Sequence, residues 1–166
     1  LKLKDLKNKD RVAELEFFFS LSKTEKMIQF LFEQGLISSR GQRDLHIEGF
    51  MTGIIDLVFR RDGKYYLLDY KSNFLGANDI SYNAESLSQS MTRHDYHLQY
   101  LIYTVALHRM LKRDLASYSY EENFGGVYYF FLRGVDFEKT NGVFFTRPDQ
   151  ALIEKIDEYM SVNNEK

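Results

Sequence analysis

Asp56, Asp69 and Lys71 are the residues whose types and spacing could do chemistry. They lie in the stretch GIIDLVFRRDGKYYLLDYKS, residues 53–72, which reads as a tight β-hairpin. Asp62-Gly63 supplies the positive φ angles of a two-residue hairpin turn, and apolar, β-branched and aromatic runs flank it. In that register Arg61 pairs with Lys64, and Asp56 falls opposite Asp69. Alternation along the strand puts Lys71 on the same face as Asp69. Two facing carboxylates repel unless a cation sits between them. Hard oxygen ligands of this kind suit Mg²⁺, which takes one or two carboxylates and leaves its other positions to water and phosphate oxygens. Such an ion would neutralise a scissile phosphate, while the Lys71 ammonium steadies the attacking water or the charge developing on phosphorus. The competing reading is a solvated strand face. It fits poorly with Ile54, Ile55, Leu57, Leu67 and Leu68 as neighbours, because an acidic residue inside so apolar a strand is disfavoured.

Other polar residues are weaker candidates. Gln99 and Tyr103 are four apart on a predicted helix and share a face, so an amide and a phenol could contact phosphate or orient water there. Glu14 and Glu16 lie on one face of a predicted strand, as a further carboxylate for the site or as an edge-strand charge pair. His94 and His97 have a spacing that permits shared metal ligation, but a solvated helix surface is the simpler reading; His46 and His108 carry no signal. Arg93, Arg109, Lys112 and Arg113 could follow a nucleic-acid backbone, with a solvated face as the default. No glycine-rich phosphate loop is present, which excludes an NTPase site within this chain.

The elements that must position these residues follow from periodicity. Residues 1–11 are lysine-rich, a linker or an entering strand. A strand is expected over 13–20, then a helix opening at a Ser22–Glu25 capping box with Met27, Ile28, Leu31 and Phe32 on its apolar side. Residues 45–50 read as a short strand before the hairpin and 73–85 as an exposed loop. One helix is expected from about 84 to 111, with Leu98, Leu101, Ile102, Val105, Leu107 and Met110 as its stripe. A doubly buried strand over 126–133, a short strand over 143–146 and a last helix follow, giving a sheet with helices against its faces.

Composition agrees with a packed domain. The 166 residues are 44% hydrophobic and 16% aromatic, with one proline, which excludes a disordered chain. The absence of cysteine excludes disulfides and thiolate metal sites and suits a cytoplasmic protein. No apolar run approaches a membrane span. A net charge of −2 gives no global basic field, so any grip on nucleic acid must be local or supplied by a partner. The chain opens at Leu1 in a charged segment, and we expect a piece of a longer protein.

The segments GFMTGIIDLVFRRDGKYYLLDYKSNFLG, HLQYLIYTVALHRML and FGGVYYFFLRGVD resemble the PD-(D/E)xK nuclease superfamily and, within it, the C-terminal nuclease domains of the RecB family of bacterial helicase–nuclease subunits. The resemblance runs over roughly residues 49–136, and GVFFTRP and the last helix are also family-like. It implies a restriction-endonuclease-like α/β fold, a central mixed β-sheet flanked by helices, with residues 1–166 forming a single nuclease domain. It implies that Asp56, Asp69 and the Tyr70 carbonyl ligate Mg²⁺, that Lys71 is catalytic, and that Gln99 and Tyr103 form the family's QxxY pair. Glu14, three residues before Phe17, matches the family's acidic strand residue, with Glu16 close enough to compete. The family draws a further histidine ligand from a helix upstream of that strand, and no histidine here has that context. The implied activity is Mg²⁺-dependent hydrolysis of DNA in an exodeoxyribonuclease V complex for double-strand-break repair, with RecC- and RecD-like subunits and RecA as partners. The alternative is a nuclease-fold docking module with little or no cleavage.

Overall fold

The protein is described by a computed structural model covering residues 3–21, 24–37, 49–136 and 140–161. The central hairpin forms in the expected register. Asp62 and Gly63 take φ values of 51° and 80°, the left-handed pair that a primed turn needs. They join β2 (Gly49–Arg61) to β3 (Lys64–Lys71). Pairing runs from Arg61–Lys64 to Leu57–Leu68 and stops there, one pair short of Asp56 and Asp69. The expected separate strand over 45–50 differs at its end, because Gly49 and Phe50 belong to β2; residues 45–48 lie outside the described residues.

β1 (Arg11–Leu21) is antiparallel to the other edge of β2, β4 (Phe124–Phe131) runs parallel to β3, and β5 (Val143–Thr146) closes the far side antiparallel to β4. The sheet is therefore mixed, in the order β1-β2-β3-β4-β5. A parallel β3–β4 pair requires a long crossover, and the helices of residues 84–123 provide it. α1 (Thr24–Glu33) buries Met27, Ile28 and Leu31, as its periodicity predicts; Ser22 of the expected capping box lies outside the described residues. α2 (Ala84–Arg93) is capped by Asn83, whose side chain accepts from the Ser86 amide at 2.9 Å.

The single helix expected over 84–111 is broken. Asp95 adopts φ 52°, ending α2, and α3 (Tyr96–Asp114) starts afresh in its own direction. A left-handed residue cannot continue an α-helix, and the break re-aims Tyr96, Gln99 and Tyr103. α4 (Tyr120–Asn123) is one short turn in the connector, and α5 (Gln150–Met160) buries Ile153, Ile156 and Met160. Among the described residues no helix is long and apolar enough to cross a membrane.

The apolar residues buried from all the α-helices join one cluster with Ile55, Val58, Leu67, Tyr129 and Phe131 of the sheet. The opposite sheet face holds a smaller cluster of Leu57, Phe59 and Leu68, covered by Leu3 and Leu6. Those leucines belong to residues 3–10, which form two 3-10 turns rather than a strand. Cluster membership also exposes an irregularity in β2. Ile55 belongs to the large core, whereas Leu57 and Phe59 belong to the small one and Val58 to the large one. The alternation of the strand thus changes phase at Asp56. In the neighbouring strand the residue at the same register, between the pairs Ala13–Leu57 and Leu15–Ile55, is Glu14, with φ 53°. A non-glycine residue in that region is uncommon in a strand and re-aims side chains there.

Candidate active site

The hairpin opens where its ladder stops. Asp56 does not pair with Asp69 through the backbone; its Oδ2 instead accepts the Tyr70 amide at 2.8 Å. Asp69 turns toward the large core, and Lys71, two residues on, shares its face as alternation requires. The Lys71 Nζ lies 2.7 Å from Asp69 Oδ2, with both side chains nearly enclosed (11% and 6% exposed). Asp69 Oδ2 is thus a buried oxygen whose neighbour is the Lys71 ammonium, with no second donor among the described residues. Burial pushes the Asp69 carboxyl above the ordinary carboxylate range, opposed by the Lys71 ammonium and reinforced by the charge of Asp56.

α3 supplies the second wall. Lys71 Nζ donates to Gln99 Oε1 at 2.8 Å, and Gln99 Nε2 donates to the Tyr103 hydroxyl at 2.9 Å. Burial pushes the Tyr103 phenol up; its bond with Gln99 opposes this, and Asp69 and Asp56 add to it. Tyr103 therefore stands within the field of both carboxylates. Phe17 packs edge-on against its ring at 5.7 Å. That contact needs Gly53, where a Cβ would come 2.3 Å from the Phe17 ring.

Two tyrosines complete the setting and were not among the expected site residues. The Lys71 ammonium lies 4.0 Å from the ring centre of Tyr96 and 5.1 Å from that of Tyr129, a cation–π arrangement worth about 0.5–2 kcal/mol each. Tyr129 also donates to Gln99 Oε1 at 3.0 Å, and Tyr96 to Asn73 Oδ1 at 3.1 Å. Tyr96 was findable, since Tyr96, Gln99 and Tyr103 fall at i, i+3 and i+7 on one helix face. Tyr129 was not, because its place beside Asp69 depends on the β3–β4 pairing.

The other candidates are distributed unequally. Glu14 sits at the register of Asp56, while Glu16 pairs opposite Ile54, farther from the site; both side chains are exposed. His94 stacks on Tyr96. His97 is half-buried against Tyr100 and Phe144 rather than on an open surface. Arg109 does not face open solvent as a backbone-tracking residue would, because it is engaged with Asp157 and Ser161. Arg113 pairs with Asp114. His46 lies outside the described residues.

Among the described residues no cluster of three or more His, Cys, Asp or Glu side chains could hold a metal ion. Two carboxylates at an open strand end, one of them enclosed beside Lys71, match the sparser demand of a hard divalent ion that keeps water and phosphate oxygens among its ligands. The profile of the PD-(D/E)XK nuclease superfamily matches residues 6–161. The chain belongs to that superfamily. Its members are hydrolases that generally use divalent metal ions. The chain is similar to the RecBCD enzyme subunit RecB of Haemophilus influenzae, 44% identical over 158 residues covering 93% of this chain and 13% of that protein. It is 43% identical to the subunit of the same name from Escherichia coli K12 over 162 residues, 94% of this chain and 14% of that protein. Against the Mycobacterium tuberculosis H37Rv protein identity is 38% over 125 residues, 70% of this chain and 11% of that protein. The chain thus spans about an eighth of the length of these relatives.

Proposed function

We propose that this chain is a single nuclease domain of a longer RecB-type helicase–nuclease subunit and hydrolyses phosphodiester bonds of DNA with Mg²⁺. The observation that carries this reading is the enclosed Asp69 carboxylate, held 2.7 Å from Lys71 Nζ where the β2–β3 ladder opens toward Asp56. A buried carboxylate is costly; Lys71 offsets part of that cost, the carboxyl still stands above its ordinary range, and a bound divalent ion offsets more.

In this reading Asp56, Asp69 and the Tyr70 carbonyl hold the ion. When bound, it neutralises phosphate charge and makes water more acidic. The rest of the work falls to the chain. Water oxygen bonds to phosphorus as the bond to the leaving nucleotide oxygen breaks; the water gives up a proton and the leaving oxygen takes one. Lys71, fixed by Gln99 and the faces of Tyr96 and Tyr129, presents a positive charge where negative charge grows on the phosphoryl oxygens. Gln99 is itself oriented by Tyr103 and Tyr129, which sets the Lys71 ammonium before substrate arrives. Glu14, at the register of Asp56, adds a carboxylate at the rim. The relatives' name places them in the RecBCD enzyme, and we extend to this chain RecC- and RecD-like subunits as partners, RecA as a further one, and double-strand-break repair as the setting.

The test is cleavage of linear DNA with Mg²⁺ by the native chain and by Asp69→Asn. Cleavage that requires the ion and disappears in the variant is expected. Undiminished cleavage by the variant would overturn the reading, as would silence from the native chain both alone and within its parent complex; a docking module predicts that silence.

A further inference from the structure

The catalytic reading uses only one side of Asp56. Its other side borders an open pocket of about 480 Å³ on the far sheet face, lined by Leu3, Leu6, Asn8, Arg11, Asp56 and Tyr70 among others. Arg11 is exposed and is seated by a hydrogen bond from its Nη2 to Asn8 Oδ1 at 2.8 Å. A guanidinium carries five N–H donors, so most of its donors are uncommitted. It forms no ion pair within 4.0 Å among the described residues, although Asp56 lines the same pocket.

The segment that carries Arg11 is also locally basic. Residues 3–11 hold Lys4, Lys7, Lys9 and Arg11 against Asp5 and Asp10, a net charge of +2 in a chain of −2. The three lysines are exposed. Arg11 pairs opposite Phe59, three residues along β2 from Asp56, so the two backbones are roughly 10 Å apart. That spacing puts the guanidinium within one or two nucleotides of a phosphate held at Asp56.

We propose that Arg11, seated by Asn8, binds a backbone phosphate of the nucleic-acid strand beside the scissile one, and that Lys4, Lys7 and Lys9 are the track leading to it. A planar fork of donors suits a phosphate better than a lysine does. The site accounts for how a chain with no global basic field grips a polyanion. This inference rests on the nuclease reading for the identity of its ligand.

The experiment is equilibrium binding of a labelled single-stranded oligonucleotide in EDTA, read by fluorescence anisotropy, for the native chain, Arg11→Gln, Arg11→Lys and Asn8→Ala. Arg11→Gln is expected to weaken binding about tenfold and to flatten the slope of log affinity against log salt by about 0.7, the release expected for one phosphate contact. Arg11→Lys keeps the slope and recovers part of the affinity, and Asn8→Ala loses affinity in smaller measure. With Mg²⁺ the loss in Arg11→Gln falls on KM rather than kcat. Replacing single phosphates by neutral methylphosphonates should identify one position whose neutralisation weakens the native chain and leaves Arg11→Gln indifferent. Unchanged affinity and slope in a folded Arg11→Gln overturn the inference. If Asp69→Asn has meanwhile lost cleavage, the nuclease reading stands without it. If Asp69→Asn cleaves normally, that reading falls instead, and the binding data speak for the Arg11 site by themselves.

Discussion

Helix α3 carries two polar clusters, one at each end, and they are built on opposite principles. Near its start, Gln99 and Tyr103 face Lys71 and Asp69. That cluster encloses a carboxylate whose buried Oδ2 has only the Lys71 ammonium beside it among the described residues, and whose carboxyl stays raised by burial despite that neighbour. Toward its end, Arg109 donates to the carboxylate and carbonyl of Asp157 and to Ser161 Oγ, and packs 5.1 Å from the ring of Phe19. His108 Nδ1 meets the Tyr118 hydroxyl at 2.9 Å. This second cluster is internally complete. A satisfied buried network rigidifies a fold, whereas an incomplete one lowers stability and is kept for what it binds. The two clusters should therefore respond to substitution in opposite ways.

The largest expected effect is at the incomplete cluster. Asp69→Asn should lower cleavage about a thousandfold or more, the scale seen when a group acting directly on the reacting centre is removed. In EDTA its melting temperature should fall by less than that of Arg109→Met, because loss of the Lys71 ion pair is offset by removal of a buried carboxylate. The amide oxygen can still accept from Lys71, which also keeps Gln99 and two aromatic faces. A variant that melts much earlier would assign Asp69 to the structural class. Gln99→Leu comes next. It touches Lys71 without touching the reacting atoms in the proposed mechanism, and should cost about 10–100-fold in kcat, typical of groups that orient a first-contact residue. A loss confined to KM would break the assignment of Gln99 to the positioning of Lys71.

The complete cluster should show the reverse. Arg109→Met leaves Asp157 partly enclosed and unpaired, and should destabilise the fold by about 1–3 kcal/mol, as removal of a charged hydrogen-bond partner does. Its kcat per folded molecule should stay within about twofold of native, well below the effect of orienting groups near a reacting centre. Urea unfolding followed by single-turnover cleavage separates the two quantities. A large kcat loss at unchanged stability would mean that the two ends of α3 are coupled through the helix.

This contrast shows where the sequence is legible. The Asp62-Gly63 turn dictates the hairpin register, and alternation dictates that Lys71 accompanies Asp69; both hold because they depend only on local geometry. The Gln99–Tyr103 pair reads correctly as one helix face for the same reason. Tyr129 and Arg109 do not, because their partners come from elements distant in the chain, β3 in one case and α5 in the other. Nor could composition foresee that β2 changes phase at Asp56, or that Asp95 breaks the helix expected to run unbroken from 84 to 111. Both are local departures, beside the φ of 53° at Glu14 in one case and at the φ of 52° of Asp95 in the other. Yet these departures aim the site, turning Asp56 toward Tyr70 and α3 toward Lys71. The rules of regular structure name the candidate residues, and local exceptions to those rules bring them together.

The smallest effect concerns His108, and its sign follows from the same satisfied network. Burial holds the His108 ring below its ordinary range, with Asp157 and Glu154 pulling it up and Lys112 and Arg109 pushing it down. Tyr118, pushed up to about 12 by burial, stays protonated throughout and can donate to Nδ1 of the neutral ring. Between the ordinary histidine value near 6.5 and the lower folded value, the unfolded chain binds a proton that the folded chain refuses. This contribution to stability is therefore fully present above about pH 6.5 and is lost as pH falls through the folded value. His97, also lowered by burial, adds in the same direction. Replacing His108 by glutamine should flatten the fall in melting temperature between pH 7.5 and 5, measured in EDTA, while leaving the part due to His97. Because the ring lies at the complete end of α3, the pH profile of cleavage should keep its shape in that variant. A shifted cleavage profile would show that the His108 cluster is electrically linked to Lys71, and the division of α3 into a structural and a reactive end would fail.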